Sequence, residues 1–311
     1  MIVRWGIAEL PALAGERPFV VASPRWRGVL DAPDRWQEVP SHRIEVPEGV
    51  GAIVAIGGGS AIDTAKAASA ASGLPLVSVP TTYSGAEWTS FFGVRDPSRR
   101  MRGGGGGARL HAIVYEPELT LELPRAETVG TALNALAHCS EALYVDERTR
   151  ESDADALAGA GLIGEWLPVV VERPSDLAAR TGLLRGACHA GAALGGSMLA
   201  LGHALAQGLG GRYGAPHGAL NALTLPAALR FNQPVAAAAI ARFGEALGTD
   251  DPVTKVEELA RLGGFERLRD LGIPEDAPAA VAEAVAARPG AQANPRAVAA
   301  EDVETLLRAI W

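Results

Sequence analysis

The chain has 311 residues, 48% of them hydrophobic and 21% charged. That is enough apolar material for one large domain or two ordinary ones, and too much for a disordered chain. The formal net charge is −8, and an acidic chain without a basic stripe argues against nucleic acid and anionic membrane surfaces as partners. The two cysteines, Cys139 and Cys188, exclude a disulfide-dense scaffold and are expected as buried thiols. The opening stretch is broken by Arg4, Glu9 and Pro11, so it makes a poor signal peptide. No uninterrupted apolar run reaches the ~20 residues of a membrane span, and the cytoplasm is the expected location.

Four short apolar runs punctuate residues 1–124: Phe19 to Ala22, Ala52 to Ile56, Leu76 to Val79 and Ala112 to Tyr115. Continuous runs of this length suit a parallel sheet covered on both faces. The Ala-rich stretch 61–72 supplies a crossover helix and so a βαβ unit. From Pro124 onward the text is Ala-, Leu- and Gly-rich and strand signals nearly vanish. Helices are expected near 126–146, 151–166, 175–190, 191–210, 218–231, 235–247, 252–264, 277–287 and 298–310, with Pro168, Pro174, Pro216, Pro226 and Pro234 at their ends. The fold expected is an α/β, Rossmann-like nucleotide-binding domain over 1–124 followed by an all-α domain over 125–311.

The turn after the second run reads Gly57-Gly58-Gly59-Ser60 and leads into Asp63 and Lys66. Glycines admit a ligand close to the backbone, and the helix behind them presents free N–H groups and a positive dipole end. This suits the pyrophosphate of a dinucleotide. Ser60 with Asp63 also has the spacing of a capping box. Thr81, Thr82, Tyr83 and Ser84 follow the third run, at the strand ends where open α/β sheets bind ligands. Their hydroxyls suit a diphosphate or a carboxamide. Arg99, Arg100 and Arg102 precede five glycines, 103–107, expected as a flexible loop or an arginine-bearing flap. In the helical half, Asn134 and His138 share a helix face. With His203 and His217 they make a candidate set for an ion or a substrate carbonyl. After the first apolar run, Ser23-Pro24-Arg25-Trp26-Arg27 carries no acid for a ribose 2′-hydroxyl, so both NAD(H) and NADP(H) stay open.

Taken together, Gly57-Gly58-Gly59-Ser60-x-x-Asp63-x-x-Lys66, Pro80-Thr81-Thr82, Tyr115-Glu116-Pro117-Glu118-Leu119, Asn134-x-x-x-His138, His203 and Pro216-His217-Gly218 resemble the iron-containing (group III) alcohol dehydrogenase family over nearly the whole chain. The run from Leu133 to Tyr144 is similar to its maleylacetate reductase subgroup. The resemblance implies a dehydroquinate synthase-like architecture, a homodimer and an NAD(P)H-dependent oxidoreductase. Gly57, Gly58, Gly59, Ser60, Asp63, Thr81, Thr82, Tyr83 and Ser84 are implied to bind the cofactor. His138, His203 and His217 are implied to be catalytic, and with Asn134 they are the candidate ligands of an Fe or Zn ion. Three positions depart from the pattern. Asn134 stands for an aspartate, which favours a metal-free or weakly metal-binding site, because an amide oxygen is neutral. Gln207 stands for a histidine and cannot act as acid or base. Ala204 stands for the lysine that a dicarboxylate would want. Arg100, Arg102 and Gln207 are the candidate substrate contacts. The leading expectation is maleylacetate reductase-like reduction of an unsaturated oxo-acid. The alternatives are a metal-dependent alcohol or aldehyde dehydrogenase, a dehydroquinate synthase-like lyase and a non-catalytic nucleotide-binding protein.

Overall fold

The structure is a computed structural model that describes residues 1–98 and 100–311; Arg99 lies outside the described residues. The chain divides into two compact units. One comprises residues 1–82 and 86–122, the other residues 83–85 and 123–311.

The first unit is built on a parallel sheet. Its strands are β1 (Ile2–Trp5), β2 (Pro18–Ala22), β3 (Asp34–Trp36), β4 (Ala52–Gly57), β5 (Pro75–Pro80) and β8 (Arg109–Tyr115), in the spatial order β1-β8-β5-β4-β2-β3. Alternate side chains feed two cores, as a sheet covered on both faces requires. Val20, Val54, Ile56, Val77 and Val79 pack on one face against α1 (Leu10–Ala14), through Leu10 and Ala14. Phe19, Val21, Ile53, Ala55 and Leu76 pack on the other against Ile62, Ala65 and Ala68 of α2 (Gly59–Ser72). From β2 the chain runs outward to the edge strand β3 and then returns to β4 on the opposite side of β2. The ends of β2 and β4 therefore flank the place where strand order reverses, the usual ligand crevice of such sheets.

The glycine tract corrects an expectation. Instead of a loop, Met101–Gly105 forms strand β7, paired antiparallel with β6 (Phe92–Arg95). Gly105 packs under the Phe92 ring, where even a Cβ would approach to 3.0 Å. The ribbon is tied to α2 by the buried Lys66 ammonium, which donates to Phe91 O at 2.9 Å and to Thr89 at 3.2 Å. Gly93 N donates to Asp63 Oδ2 at 3.3 Å. Asp63 is thereby absorbed in holding the ribbon, and no capping box forms. The N-cap of α2 is Gly58, which makes no side-chain cap bond.

The second unit is helical: α3 (Arg125–Ala142), α4 (Arg150–Glu172), α5 (Leu177–Gly195), α6 (Leu201–Tyr213), α7 (His217–Ala246), α8 (Pro252–Leu262), α9 (Ala277–Ala286), α10 (Pro289–Gln292) and α11 (Ala300–Ala309). Two expected helix ends are corrected. Pro168 lies inside α4 and Pro226 inside α7, where burial of the helix face overrides the lost backbone bond. At Pro234 the expected break is present, as a kink with a non-helical Ala236 that divides α7. Among the described residues α4 alone is long and apolar enough to cross a membrane, and here it packs on α5 and α3. Arg180 of α5 is fully buried and ties the unit's entry segments together. Its guanidinium donates to the Tyr83 hydroxyl at 3.2 Å, to Thr128 at 3.1 Å and to Pro174 O at 3.0 Å.

Both cysteines are thiols. Cys139 is fully buried and Cys188 is partly exposed. Burial pushes the Cys139 thiol far up from its ordinary pKa, and the thiolate is the reactive form. An alkylating reagent should therefore label Cys188 before Cys139 in the folded protein. Peptide mapping of the labelled protein checks the order, and prior modification of Cys139 would contradict this packing.

Candidate functional site

In the first unit, the turn between β4 and α2 has the shape that an anion needs. Gly57 adopts φ +151°, which favours glycine, and a Cβ on Gly58 would come within 2.8 Å of Thr82 Cγ2. The two segments named by the sequence, 57–60 and 81–82, are thus in contact, and Thr81 N donates to Gly57 O at 3.0 Å. Ala61 N and Ile62 N turn back to Gly58 O, so the first N–H groups of a 14-residue helix are left open at the sheet's ligand-binding edge. Ser60 is exposed there. These features fit a dinucleotide pyrophosphate. Arg25 lies beyond the end of β2, over the Trp26 ring and 3.7 Å from Glu122.

In the second unit the imidazoles do meet. The rings of His138 (α3) and His203 (α6) stack with centroids 4.6 Å apart, and His217 (α7) lies 5.8 Å from His203. Asn134 is the junction. Its amide nitrogen donates to Ser84 O at 2.8 Å, which fixes Oδ1 as the atom turned inward. Oδ1 lies 3.3 Å from His203 Nε2 and accepts from Asn221 Nδ2 at 2.7 Å. The same Asn221 nitrogen is 3.0 Å from His217 Nε2. On the far side of His203, Nδ1 is 2.7 Å from Oε2 of Glu141, a carboxylate with no solvent exposure. His138 Nδ1 is buried, lies against Gly85 and has no hydrogen-bond partner among the described residues. Burial, with His203 and His217 adding to it, holds this imidazole well below its ordinary pKa, so it is neutral near pH 7.

Two partners were missed from the sequence, although helical spacing carried a signal for both. Glu141 lies three residues after His138 and seven after Asn134, on the same face of α3. Asn221 lies four after His217 on α7.

The remaining candidates fall elsewhere. Tyr83 is fully buried with its hydroxyl bonded by Arg180, and the Ser84 carbonyl is engaged by Asn134. Contacts from these two residues to a cofactor would have to use other atoms. Arg100 and Arg102 belong to the β6–β7 segment of the first unit, where Arg102 is ion-paired with Asp96. Gln207 lies on α6 one turn beyond His203, and its Oε1 accepts from Arg288 at 3.3 Å. Ala204 is buried.

The donor set has the chemistry for a divalent cation. With Nδ1–H given to Glu141, His203 Nε2 faces the acceptor oxygen of Asn134, and two lone-pair atoms turned on each other call for a proton or a cation between them. Among the described residues, however, no three His, Cys, Asp or Glu side chains converge as a ready-made metal cluster.

Comparison with known proteins agrees with this reading of the fold. Residues 44–112 match the model of iron-containing alcohol dehydrogenases, and residues 128–311 match that of the C-terminal part of the Fe-containing alcohol dehydrogenase family. The chain is 34% identical to maleylacetate reductase of Burkholderia cepacia, with 97% of this chain and 91% of that one covered. The crystal structure of maleylacetate reductase from Agrobacterium tumefaciens superposes with a TM-score of 0.86 at 26% identity, covering 100% of this chain and 95% of that one. An iron-containing alcohol dehydrogenase from Corynebacterium glutamicum superposes with a TM-score of 0.87 at 28% identity, covering 99% and 94%. The expected preference for a metal-free site gains no support from a family described as iron-containing. The chain belongs to the iron-containing alcohol dehydrogenase family and is an NAD(P)-dependent oxidoreductase acting on a small molecule.

Proposed function

We propose that the chain reduces the carbon–carbon double bond of an unsaturated oxo-dicarboxylate, in the manner of a maleylacetate reductase. The observation that carries this reading is the linked set Glu141, His203, Asn134, Asn221 and His217, on a chain similar to maleylacetate reductases over nearly all its length. A bound NAD(P)H supplies a hydride. Addition of hydride to the carbon β to the oxo group moves the double-bond pair onto the α carbon and the oxo oxygen as an enolate, a proton from water at the α carbon completes the saturated oxo-acid, and the protein's task is to stabilise the enolate oxygen. The proton or cation called for at His203 Nε2, whose ring is oriented by the buried Glu141 carboxylate, is the charge placed to meet that oxygen, with His217 beside it. Gly57 to Ser60, Thr81 and Thr82 hold the dinucleotide through backbone N–H groups and hydroxyls. Asn134, His138, His203 and His217 would hold an iron or zinc ion, which would polarise the same oxygen. A cytoplasmic homodimer accompanies this reading.

The test is cofactor oxidation with maleylacetate as acceptor, using NADH and NADPH in parallel and protein whose iron and zinc have been measured. Stoichiometric conversion to the saturated oxo-acid is expected. Turnover of simple aldehydes alone would support the second reading, an alcohol or aldehyde dehydrogenase, which the cation-compatible pair of His203 and Asn134 favours.

A further inference from the structure

Most of the internal arginines of the second unit are satisfied. Arg180 is fully buried and spreads its donors over Tyr83, Thr128 and Pro174. Arg296 bonds Phe231 O at 3.0 Å and lies over the Phe231 ring. Arg288 is different. It sits between α9 and α10, half-buried, and its bonds are long and go to one residue: Nη1 to Gln207 Oε1 at 3.3 Å and Nη2 to Gln207 O at 3.5 Å. Its Nε is buried with no partner, and it forms no ion pair among the described residues. A guanidinium has five N–H donors in a planar fork, and this one is positioned without being used. Burial also lowers its pKa from the usual arginine value, the effect of a desolvated cation that lacks an anion.

The position bears on the reaction centre. His203, Gln207 and Gly211 follow one another at four-residue steps along one face of α6, ~6 Å per step. The Arg288 guanidinium lies beside the Gln207 and Gly211 part of the helix, with Nη2 3.9 Å from where a Cβ on Gly211 would stand and Nε equally far from one on Gly208, which lies further round the helix from His203. Gly208 permits the approach. A Cβ there would come within 2.3 Å of Val285 on α9, the helix that delivers Arg288. Because a guanidinium only donates, Gln207 must turn Oε1 toward Arg288, which leaves its NH2 group facing away as a second donor. That NH2 meets no acceptor among the described residues.

The structure assigns Arg288, with the Gln207 amide it orients, as the pair that binds a carboxylate of the substrate one helical turn from His203. The assignment rests on the reading that the acceptor is an oxo-dicarboxylate. One end of such a molecule presents its oxo group to the imidazoles, and the carboxylate beyond it reaches the planar fork, to which guanidinium is geometrically matched. Gln207 is then a substrate ligand rather than a replaced acid.

The experiment compares wild type with Arg288→Met and Arg288→Lys as cofactor-loaded full-length protein, measuring both turnover of maleylacetate and calorimetric binding of adipate, a dicarboxylate that cannot be reduced. Arg288→Met should raise the KM for maleylacetate and the Kd for adipate about 30-fold or more, with the Kd for the nicotinamide cofactor unchanged. Arg288→Lys should recover part of the affinity, since it restores charge without the fork. Melting temperatures of both variants report whether the fold is kept. If maleylacetate is not turned over but adipate binds and Arg288→Met abolishes that binding, the assignment stands and the maleylacetate reading fails. Wild-type KM and Kd in folded Arg288→Met, or a wild-type protein that binds no dicarboxylate, overturns the assignment.

Discussion

Replacing Glu141 by alanine should abolish measurable reductase activity and lower the unfolding free energy by about 3–5 kcal/mol. The carboxylate does two jobs from one buried position. It orients His203 through Nδ1 at 2.7 Å, and it accepts from Ala200 N at 2.8 Å and His203 N at 3.1 Å. Those last two groups are the N-cap and third residue of α6, whose N-terminus has no side-chain cap of its own. Glu141 therefore caps α6 from a neighbouring helix, with its negative charge at the positive end of the dipole. Alanine would leave two buried N–H groups unpaired, each worth about 1–3 kcal/mol, and would free the imidazole to rotate or change tautomer. Glu141→Gln separates the charge from the hydrogen bonds. An amide oxygen in the Oε2 position still accepts from Ala200 N and His203 Nδ1–H, so destabilisation should fall to about 1–2 kcal/mol, while kcat should still drop because the negative charge beside the His203 ring is gone. Urea denaturation and steady-state kinetics on the same samples provide the check. A Glu141→Gln enzyme with wild-type kcat would mean that the Glu141 charge does not act on His203.

The parts of the fold that were legible in the sequence are those where one local signal sufficed. Continuous apolar runs marked β2, β4, β5 and β8 because both faces of the sheet are covered. Strand β1 was passed over because Arg4 interrupts it at the sheet edge, and β3 because Asp34-Arg35-Trp36 has no apolar run. Five glycines read as a loop because side-chain patterning is absent. Gly103, Gly104 and Gly105 nevertheless pair as a strand, held by Phe92 and the Lys66–Asp63 anchor, both distant in sequence. Prolines 168 and 226 read as helix ends because intrinsic propensity is local and packing overrides it.

The candidate site shows the same division. Spacing linked Asn134 to His138, and a family resemblance linked them to His203 and His217, but no local rule says that an α3 acid caps α6. The charge that a dicarboxylate needs was sought at Arg100, Arg102 and position 204. Arg288 is 84 residues beyond Ala204 and looks in sequence like any surface arginine. Only the close packing of α9 on Gly208 places it beside Gln207.

Gly218→Ala should lower the unfolding free energy by about 3 kcal/mol and reduce kcat/KM by at least about tenfold. Gly218 follows His217 in the motif, and its surroundings are protein. A Cβ there would stand 2.6 Å from Gly130 C and 2.7 Å from Gly130 O. Gly130, on the facing helix α3, is hemmed in reciprocally, 3.1 Å from Gly218 C. Two backbones in contact have no rotamer to yield, so the added methyl must push α7 away from α3. These helices carry His217 and Asn221 on one side and Asn134, His138 and Glu141 on the other. The 2.7 Å bond from Asn221 to Asn134 spans that interface, so a displacement of a few tenths of an ångström acts directly on the polar network. Gly106→Ala is the control, because nothing lies within 4 Å of its would-be Cβ, and it should leave stability within about 0.5 kcal/mol of wild type. The comparison is made by chemical denaturation and by kcat/KM. Equal stability of the two variants would show that α3 and α7 are not in backbone contact at this glycine pair. A destabilised Gly218→Ala enzyme with unchanged kcat/KM would show that the network tolerates the shift, and that the glycine serves packing alone.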